Sequence, residues 1–326
     1  MKKIEYFFTF FLAALVFSSC EKVIEFQPEE VTPYVVMISR PESDSLVTVS
    51  LFRSRFFLDD DRTVSYIDDA TLRLRVGDAT YDGTYSVVSH EGRYRFGVRP
   101  QPGDSLYIEA TVPGVEGTVS AGTRMPVMPI VEVLDYVIEA NEYNSAYYNH
   151  KLTFRLKGGS GREYYSISLS SCMPFLIEGS YTEEWDTLTG VNEGLYFKCQ
   201  DAIFNDIDVE TVFDGIEGSF SGEELTISNE LFKDGEHVFT FEFDHENYGL
   251  KPADYAKMPV WLKVRSISPE LYRYNQSVES QGYGSDDLFG EPVQVLCNIN
   301  GGIGIFGATT LRSKRLPEAK LINKAQ

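Results

Sequence analysis

The sequence predicts an all-β protein with one or two short helices. Hydrophobic and polar residues alternate with a period of two in many short segments from residue 34 onward, as in half-buried strands. Gly, Pro and Asp separate these segments at the spacing typical of a β-sandwich. With 326 residues, of which 43% are hydrophobic, the chain is long enough to fill two cores. We therefore expect an N-terminal immunoglobulin-like β-sandwich followed by a larger antiparallel β-sandwich or barrel-like domain.

The N-terminus has the pattern of a lipoprotein export signal. Two lysines precede an apolar run of about a dozen residues, which is shorter than the roughly 20 residues of a membrane span. The quartet FSSC that ends at Cys20 resembles the lipobox of bacterial lipoproteins. We expect residues 1–19 to be a signal peptide and the Cys20 thiol to carry a diacylglycerol anchor. An ordinary secretory signal with an incidental cysteine is the alternative.

Residues 20–33 are acidic, contain two prolines, and predict a tether between the lipid and the first domain. The whole chain has 29 Lys and Arg against 49 Asp and Glu, a formal net charge of −20. Such a surface repels nucleic acids and anionic membrane surfaces. The charge therefore excludes a nucleic-acid partner and leaves the N-terminal lipid as the means of membrane attachment.

The first domain is expected over residues 34–128 as a seven-stranded sandwich. Its segment TLRLRV (71–76) places arginines on one face and apolar side chains on the other. The segment GDATYDGTY predicts a tight hairpin with Asp82-Gly83 at its turn. The run MPVMPIVEV (125–133) contains two prolines, so it predicts a stiff connector and the domain boundary.

The second domain is expected over residues 129–326 as antiparallel sheet with a helix near 269–280. Ser268 is a candidate N-cap of this helix, and Pro269 suits its first position. The sequence PADYAK predicts a shorter helical turn. In NGGIGIFGA the glycines alternate with Ile and Phe, which favours close backbone packing in a strand over a phosphate-binding loop.

The cysteines and histidines show no metal-binding pattern, and we predict no metal and no cofactor. The chain has no Cys-x-x-Cys pair and no HExxH motif. The acidic run at 206–217 echoes an EF-hand, but Thr211 stands where its turn needs Gly. Cys172 and Cys199 each follow a strand-like segment, so a disulfide across a hairpin and two buried thiols are both open.

Two tyrosine clusters are candidate ligand-binding residues. Tyr143, Tyr147 and Tyr148 lie in the polar segment NEYNSAYYNH, and tyrosine-rich loops bury contact area at low entropic cost. Tyr272 and Tyr274 lie on the predicted helix. The alternatives are a simple connector for the first cluster and packing of the helix on a sheet for the second.

Four segments carry a family resemblance: EYYSISL (163–169), ISNELFKDGEHVFTFEF (227–243), VRSISPELYRYNQSVESQ (264–281) and FGEPVQVLCNINGGIGIFGA (289–308). Together with the lipobox they resemble the domain-of-unknown-function 4249 (DUF4249) family of Bacteroidota outer-membrane lipoproteins. The resemblance implies a lipoprotein commonly encoded beside a TonB-dependent receptor. It implies no established activity, so no catalytic residue is carried over.

No motif in the sequence predicts catalysis. We therefore expect a non-catalytic outer-membrane lipoprotein on the cell surface or the periplasmic face. Its expected role is that of an accessory or ligand-presenting partner of a TonB-dependent receptor in nutrient uptake. A surface adhesion or structural lipoprotein is one alternative. A surface hydrolase is another, because the paired carboxylates of a glycosidase leave no short signature.

Overall fold

The computed structural model describes residues 33–55, 63–177, 180–185, 193–205, 219–284 and 294–322. The predicted signal peptide, Cys20, nearly all of the tether and the acidic run at 206–217 lie outside the described residues. The described strands and helices belong to one compact unit that takes in Tyr34–Ser54 and Asp60–Gln326. This unit contains two β-sandwich modules, each with its own core.

The first module is an immunoglobulin-like sandwich. Its strands are β1 (Val35–Ser39), β2 (Thr48–Arg53), β3 (Thr71–Val76), β4 (Ala79–Asp82), β5 (Thr84–Val88), β6 (Glu91–Arg95), β7 (Ser105–Thr111) and β8 (Val119–Arg124). One sheet has the order β1-β2-β6-β5 and the facing sheet has the order β4-β3-β7-β8. This is the immunoglobulin arrangement of four strands facing three, with β4 added beside β3. The predicted fold class is confirmed. Residues 34–128 contain eight strands where seven were expected, and one further strand from later in the chain completes the first sheet.

The predicted hairpin turn at Asp82-Gly83 is wrong. Strand β4 pairs with β3, whereas β5 pairs with β6, so the chain passes from one sheet to the other at Gly83. A Cβ atom there would lie 3.0 Å from the ring of Phe96, so a side chain would fit only if that ring moved by a few tenths of an ångström. The two-residue turn of the β3–β4 hairpin is formed by Gly77 and Asp78, and Gly77 has a φ of +56°.

The remaining regular structure follows the connector 125–129. Its strands are β9 (Ile130–Ala140), β10 (Tyr147–Lys157), β11 (Tyr164–Ser171), β12 (Pro174–Ile177), β13 (Ser180–Trp185), β14 (Glu193–Leu195), β15 (Phe197–Gln200), β16 (Ser219–Gly222), β17 (Glu224–Ser228), β18 (Glu236–Glu246), β19 (Val260–Ile267), β20 (Ile303–Phe306), β21 (Thr309–Arg315) and β22 (Lys320–Ile322). The helices are α1 (Pro252–Tyr255) and α2 (Pro269–Gly284), and short 3-10 turns span Ala202–Asn205 and Asn229–Leu231.

The second module was predicted to be either an antiparallel β-sandwich or a barrel-like domain. It is a β-sandwich. A six-stranded sheet of order β16-β15-β18-β10-β9-β22 faces a sheet of order β14-β11-β19-β21, with β17 paired to β11. Inward side chains from both sheets form one core. The rings of Phe154, Phe197 and Phe239 all pack on Phe241 at the centre of this core. Strand β12 pairs with β13 in a separate hairpin.

The strand β20 returns to the first module. It pairs in parallel with β1, and Phe306 is buried in the first core. The expectation that all of residues 129–326 belong to the second domain is therefore wrong for this segment. The predicted close packing of its glycines is confirmed. Gly304 has a φ of +120°, and a Cβ atom on it would lie 2.1 Å from the carbonyl oxygen of Met37.

Helix α2 begins at Pro269, as predicted, and lies against the returning strand. Leu271 packs with Ile305 of β20 in a small separate cluster. The hydroxyl of Ser268, the predicted N-cap, accepts a hydrogen bond from the backbone N–H of Ala308 at 3.1 Å, and its carbonyl oxygen accepts one from the backbone N–H of Tyr272 at 3.0 Å. None of the described helices combines the length and the apolar character that a membrane crossing requires.

Candidate functional site

An open cleft of about 580 Å³ lies on the outer face of the six-stranded sheet. Side chains alternate between the two faces of a strand, so every second residue of β9, β10, β15 and β18 points away from the core. The polar side chains of this outer face that line the cleft are Glu139, Asn149, Lys151, Lys198, Glu242 and Asp244.

Strand register arranges these side chains in two rows. In the first row, Glu242 lies between Lys151 and Lys198. In the second row, Asn149 lies between Glu139 and Asp244. The Nζ atom of Lys151 lies 3.0 Å from Oε1 of Glu242. Neighbouring residues on paired strands have Cβ atoms about 5 Å apart, so the side chains within each row lie close together. Hydrogen-bond donors and acceptors therefore alternate along the floor of the cleft.

The exposed aromatic side chain of Tyr196 lines the cleft beside these rows. It lies between β14 and β15, where the chain passes from one sheet to the other. Leu195 and Phe197 on either side are buried and anchor the backbone, while 53% of Tyr196 is exposed. The hydroxyl of Ser221 donates a hydrogen bond to the Tyr196 hydroxyl at 2.9 Å. The ring is therefore held at a fixed position with much of its surface free.

A buried histidine network lies beneath the cleft on the inner face of the sheet. His150 has Nδ1 at 2.8 Å from the Tyr136 hydroxyl and Nε2 at 3.0 Å from the Tyr255 hydroxyl. The same Tyr255 hydroxyl lies 2.9 Å from Nδ1 of His245. Nε2 of His245 lies 3.1 Å from the hydroxyl of Ser171. We call these five residues the histidine network.

Burial keeps the histidine network neutral. It lowers the pKa of His150 well below the ordinary value, and the neighbouring His245 lowers it further. Burial also lowers the pKa of His245 to about 4. The pKa values of Tyr136 and Tyr255 are raised, mainly by burial. At neutral pH the network therefore holds uncharged rings together by hydrogen bonds.

The Ser171–His245 contact is the pairing that activates a nucleophilic serine. Its surroundings do not suit that role, because Ser171 is completely buried. The second nitrogen of His245, Nδ1, faces the backbone oxygen of Glu246 at 3.0 Å and the Tyr255 hydroxyl. The pair therefore joins the two sheets at one end of the sandwich, where β11 and β18 end.

The family model described as "Domain of unknown function (DUF4249)" matches residues 21–315. The chain belongs to the DUF4249 family. No curated protein matches the sequence. The DUF4249 match includes the first module, the returning strand β20 and all of the second module except β22, so the family model covers parts of both modules.

The first tyrosine cluster of the DUF4249 chain is divided by the fold. Tyr143 is 97% exposed in the loop between β9 and β10, and Tyr147 is partly exposed at the start of β10. Tyr148 is buried, with its ring 4.6 Å from that of Tyr255. Tyr143 and Tyr147 therefore remain available for contact, whereas Tyr148 serves the core.

The two tyrosines of helix α2 contact other side chains of the DUF4249 chain. Packing of the helix was the alternative to ligand binding for these residues. The ring of Tyr272 stacks on Tyr164 at 4.0 Å, and Tyr274 lies under the guanidinium group of Arg40. Strand β10 has eleven residues and so spans about 35 Å. It begins at Tyr147, and Tyr164 follows its far end after a short loop. The two tyrosine clusters thus lie at opposite ends of the second module and share no groove.

The disulfide considered between Cys172 and Cys199 is not formed. Cys172 follows β11, while Cys199 lies on β15 in the facing sheet, so they do not flank a hairpin. Both are buried, and burial raises the pKa of the Cys199 thiol to about 12. Cys297, the third of the cysteines among the described residues, is exposed. In the part of the chain that the structure describes, no group of three His, Cys, Asp or Glu residues is arranged to hold a metal ion.

Sequence reasoning missed the cleft. Lys151, Glu242 and Asp244 each occupy the polar position of an alternating strand, which is also the pattern of any solvent-facing strand. Their meeting on one floor depends on the pairing of β10 with β18. The exposed aromatic residue between two buried ones, Tyr196, is the one local signal that could have indicated it.

Proposed function

We propose that this DUF4249 chain is an exported, lipid-anchored, non-catalytic binding protein that presents a ligand to a TonB-dependent receptor of the outer membrane. The observation that carries the proposal is the open cleft on the outer face of the six-stranded sheet. The opposite face of that sheet is filled by the second core, so the cleft side is the one left for a partner.

Rigidity of the floor supports a binding role. Three long strands, β9, β10 and β18, hold the polar rows in fixed register. Beneath them the histidine network ties β9 and β10 to helix α1 through Tyr136, His150 and Tyr255. A preorganised site binds more tightly, because less conformational entropy is lost when the ligand is captured.

The N-terminal segment supports the membrane attachment. Acylation of Cys20 with two chains would anchor the protein durably, since one chain alone gives only marginal binding. Residues 20–33 could extend by at most about 50 Å. That reach would let both modules stand clear of the bilayer and meet a receptor embedded beside the anchor.

The anchor is tested by mass spectrometry of the processed protein. We expect a mature chain that begins at Cys20 and carries the mass of a diacylglycerol group on sulfur. The Cys20→Ala variant should incorporate no labelled palmitate and should leave the membrane fraction. A bare sulfur on the mature wild-type protein, or a leader still attached, would remove the basis for membrane attachment.

The partner is tested by affinity purification of the tagged lipoprotein after gentle solubilisation of the membrane. We expect a TonB-dependent receptor to be recovered with the wild-type protein and to be depleted with Cys20→Ala. Recovery of other envelope proteins without any such receptor would count against the proposed partnership.

A further inference from the structure

We propose that the cleft on the six-stranded sheet binds a neutral oligosaccharide. This inference names the ligand class of the proposed function and rests on that function for its biological setting. It is carried by three features of the cleft: its balance of charge, its hydrogen-bonding groups and its exposed tyrosine.

The charges of the cleft favour a ligand without net charge. Lys151 and Lys198 stand among Glu139, Glu242 and Asp244, so positive and negative groups alternate and nearly cancel. An anionic ligand would meet three carboxylates on a chain whose formal net charge is −20. A cationic ligand would meet two ammonium groups. Because like charges brought together weaken binding, neither ion suits the cleft as well as a neutral molecule.

The polar groups match sugar hydroxyls, each of which can donate and accept a hydrogen bond. The Nδ2 group of Asn141 donates to Oδ1 of Asn149 at 2.7 Å, which fixes the Asn149 amide and leaves its own NH₂ group to donate. The side chains of Lys198 and Asp244 form no ion pair or hydrogen bond with another described residue. A polyhydroxylated ligand would therefore find a donor and an acceptor that are not already used.

Tyr196 supplies a surface for the apolar face of a sugar ring. The C–H groups on one face of a pyranose pack on an aromatic ring, as apolar groups do generally. The ring of Tyr196 is half exposed, and its hydroxyl is held by Ser221. This combination of an aromatic platform beside planar polar groups gives a sugar both orientation and contact area.

A peptide fits the cleft less well. Extended peptides bind mainly by adding a strand to a sheet edge, where backbone groups are unpaired. The cleft lies on the face of the sheet, above β10, whose backbone is paired on both sides with β9 and β18. A peptide on this face would keep its own backbone groups without strand partners. The volume of about 580 Å³ is within the usual range for small-molecule sites.

The experiment uses the full processed lipoprotein in a detergent without a sugar headgroup, applied to an array of neutral, sulfated and sialylated glycans and of peptides. We expect binding to neutral glycans. Tyr196→Ala and Asp244→Ala should each weaken that binding by about tenfold or more, measured by calorimetry with the best glycan. The control is Tyr34→Ala, which removes an exposed tyrosine of the first module that does not line the cleft and should leave the affinity unchanged.

Three results would overturn the inference: no neutral glycan bound at millimolar concentration, preferential binding of charged glycans or peptides, or equal affinity of the wild type and Tyr196→Ala. Thermal unfolding of each variant verifies that an effect is not loss of folding. The receptor purification and the glycan array are both carried out on the wild-type protein. A wild type that recovers the receptor but binds no glycan would refute this inference alone, whereas a wild type that binds glycan but recovers no receptor would refute the proposed partnership alone.

Discussion

The two modules are both β-sandwiches, but different side chains fill them. The first core is mostly aliphatic, and among the described residues Tyr94, Phe96 and Phe306 are its aromatic members. The second core is built from stacked rings and ends in the histidine network. The first module is closed by the close approach of two backbones, at Gly304 and Met37. The comparison teaches that the same architecture can depend on backbone fit in one half and on side-chain chemistry in the other.

The largest effect should come from the backbone contact of the first module. Gly304→Ala places a Cβ atom 2.1 Å from the Met37 carbonyl oxygen, at a φ of +120° that side chains rarely adopt. We expect a loss of at least about 3 kcal/mol in the free energy of unfolding, measured by urea denaturation. Gly97→Ala is the matched control, because no atom lies within 4 Å of the added Cβ. Equal stability of the two variants would contradict the packing argument.

Acid should destabilise the second module through its histidines. The pKa of His245 is about 4 in the folded protein, against about 6.5 in the unfolded chain. Between these values the unfolded chain binds more protons, so the free energy of unfolding falls as the pH is lowered. We expect the stability advantage of the wild type over His245→Gln to shrink by about 3 kcal/mol from pH 7 to pH 4. Urea titrations of both proteins at several pH values measure it.

A pH-independent difference between these two proteins would show that His245 does not titrate as its burial requires. His150 should act in the same direction, because its pKa is also lowered by burial.

A smaller effect should follow from removing one hydroxyl of the histidine network. Tyr255→Phe leaves a ring nitrogen of His150 and one of His245 without that partner. We expect a loss of about 1–3 kcal/mol in the free energy of unfolding, the usual result of an unsatisfied buried polar group. Tyr143→Phe changes an exposed residue and should stay within about 0.5 kcal/mol of the wild type. Equal stabilities would mean that the network contributes nothing to the second core.

The last prediction concerns the accessibility of the thiol groups and involves no change in stability. In a Cys20→Ala background, a thiol reagent should modify Cys297 quickly in the native protein. It should reach Cys172 and Cys199 only after denaturation, because both are buried in the second module. Rapid labelling of all three thiols in the native state would show that the second core opens more readily than its packing suggests.

The strands and the family could be predicted from the sequence because both depend on local patterns. The turn of the β3–β4 hairpin could not, since Gly77-Asp78 and Asp82-Gly83 have equivalent turn chemistry. What separates them is the sheet that the next strand joins. The return of β20 was equally hidden, because its parallel pairing with β1 joins residues about 270 positions apart in sequence.

The site was harder to predict than the fold for the same reason. His150 and His245 look isolated in sequence, and their meeting depends on the pairing of β10 with β18. The cleft depends on that same register, which places Lys151 opposite Glu242. A single sequence specifies which face of a strand is polar but carries no direct record of the strand that will lie beside it.

The pairing of β20 with β1 also sets the order in which a newly made chain can mature. A chain synthesised from its N-terminus contains β1 early and gains β20 among its last segments. Until then, the edge of β1 that β20 will cover offers unpaired backbone groups to neighbouring chains. A product cut short before residue 303 would retain the open edge permanently.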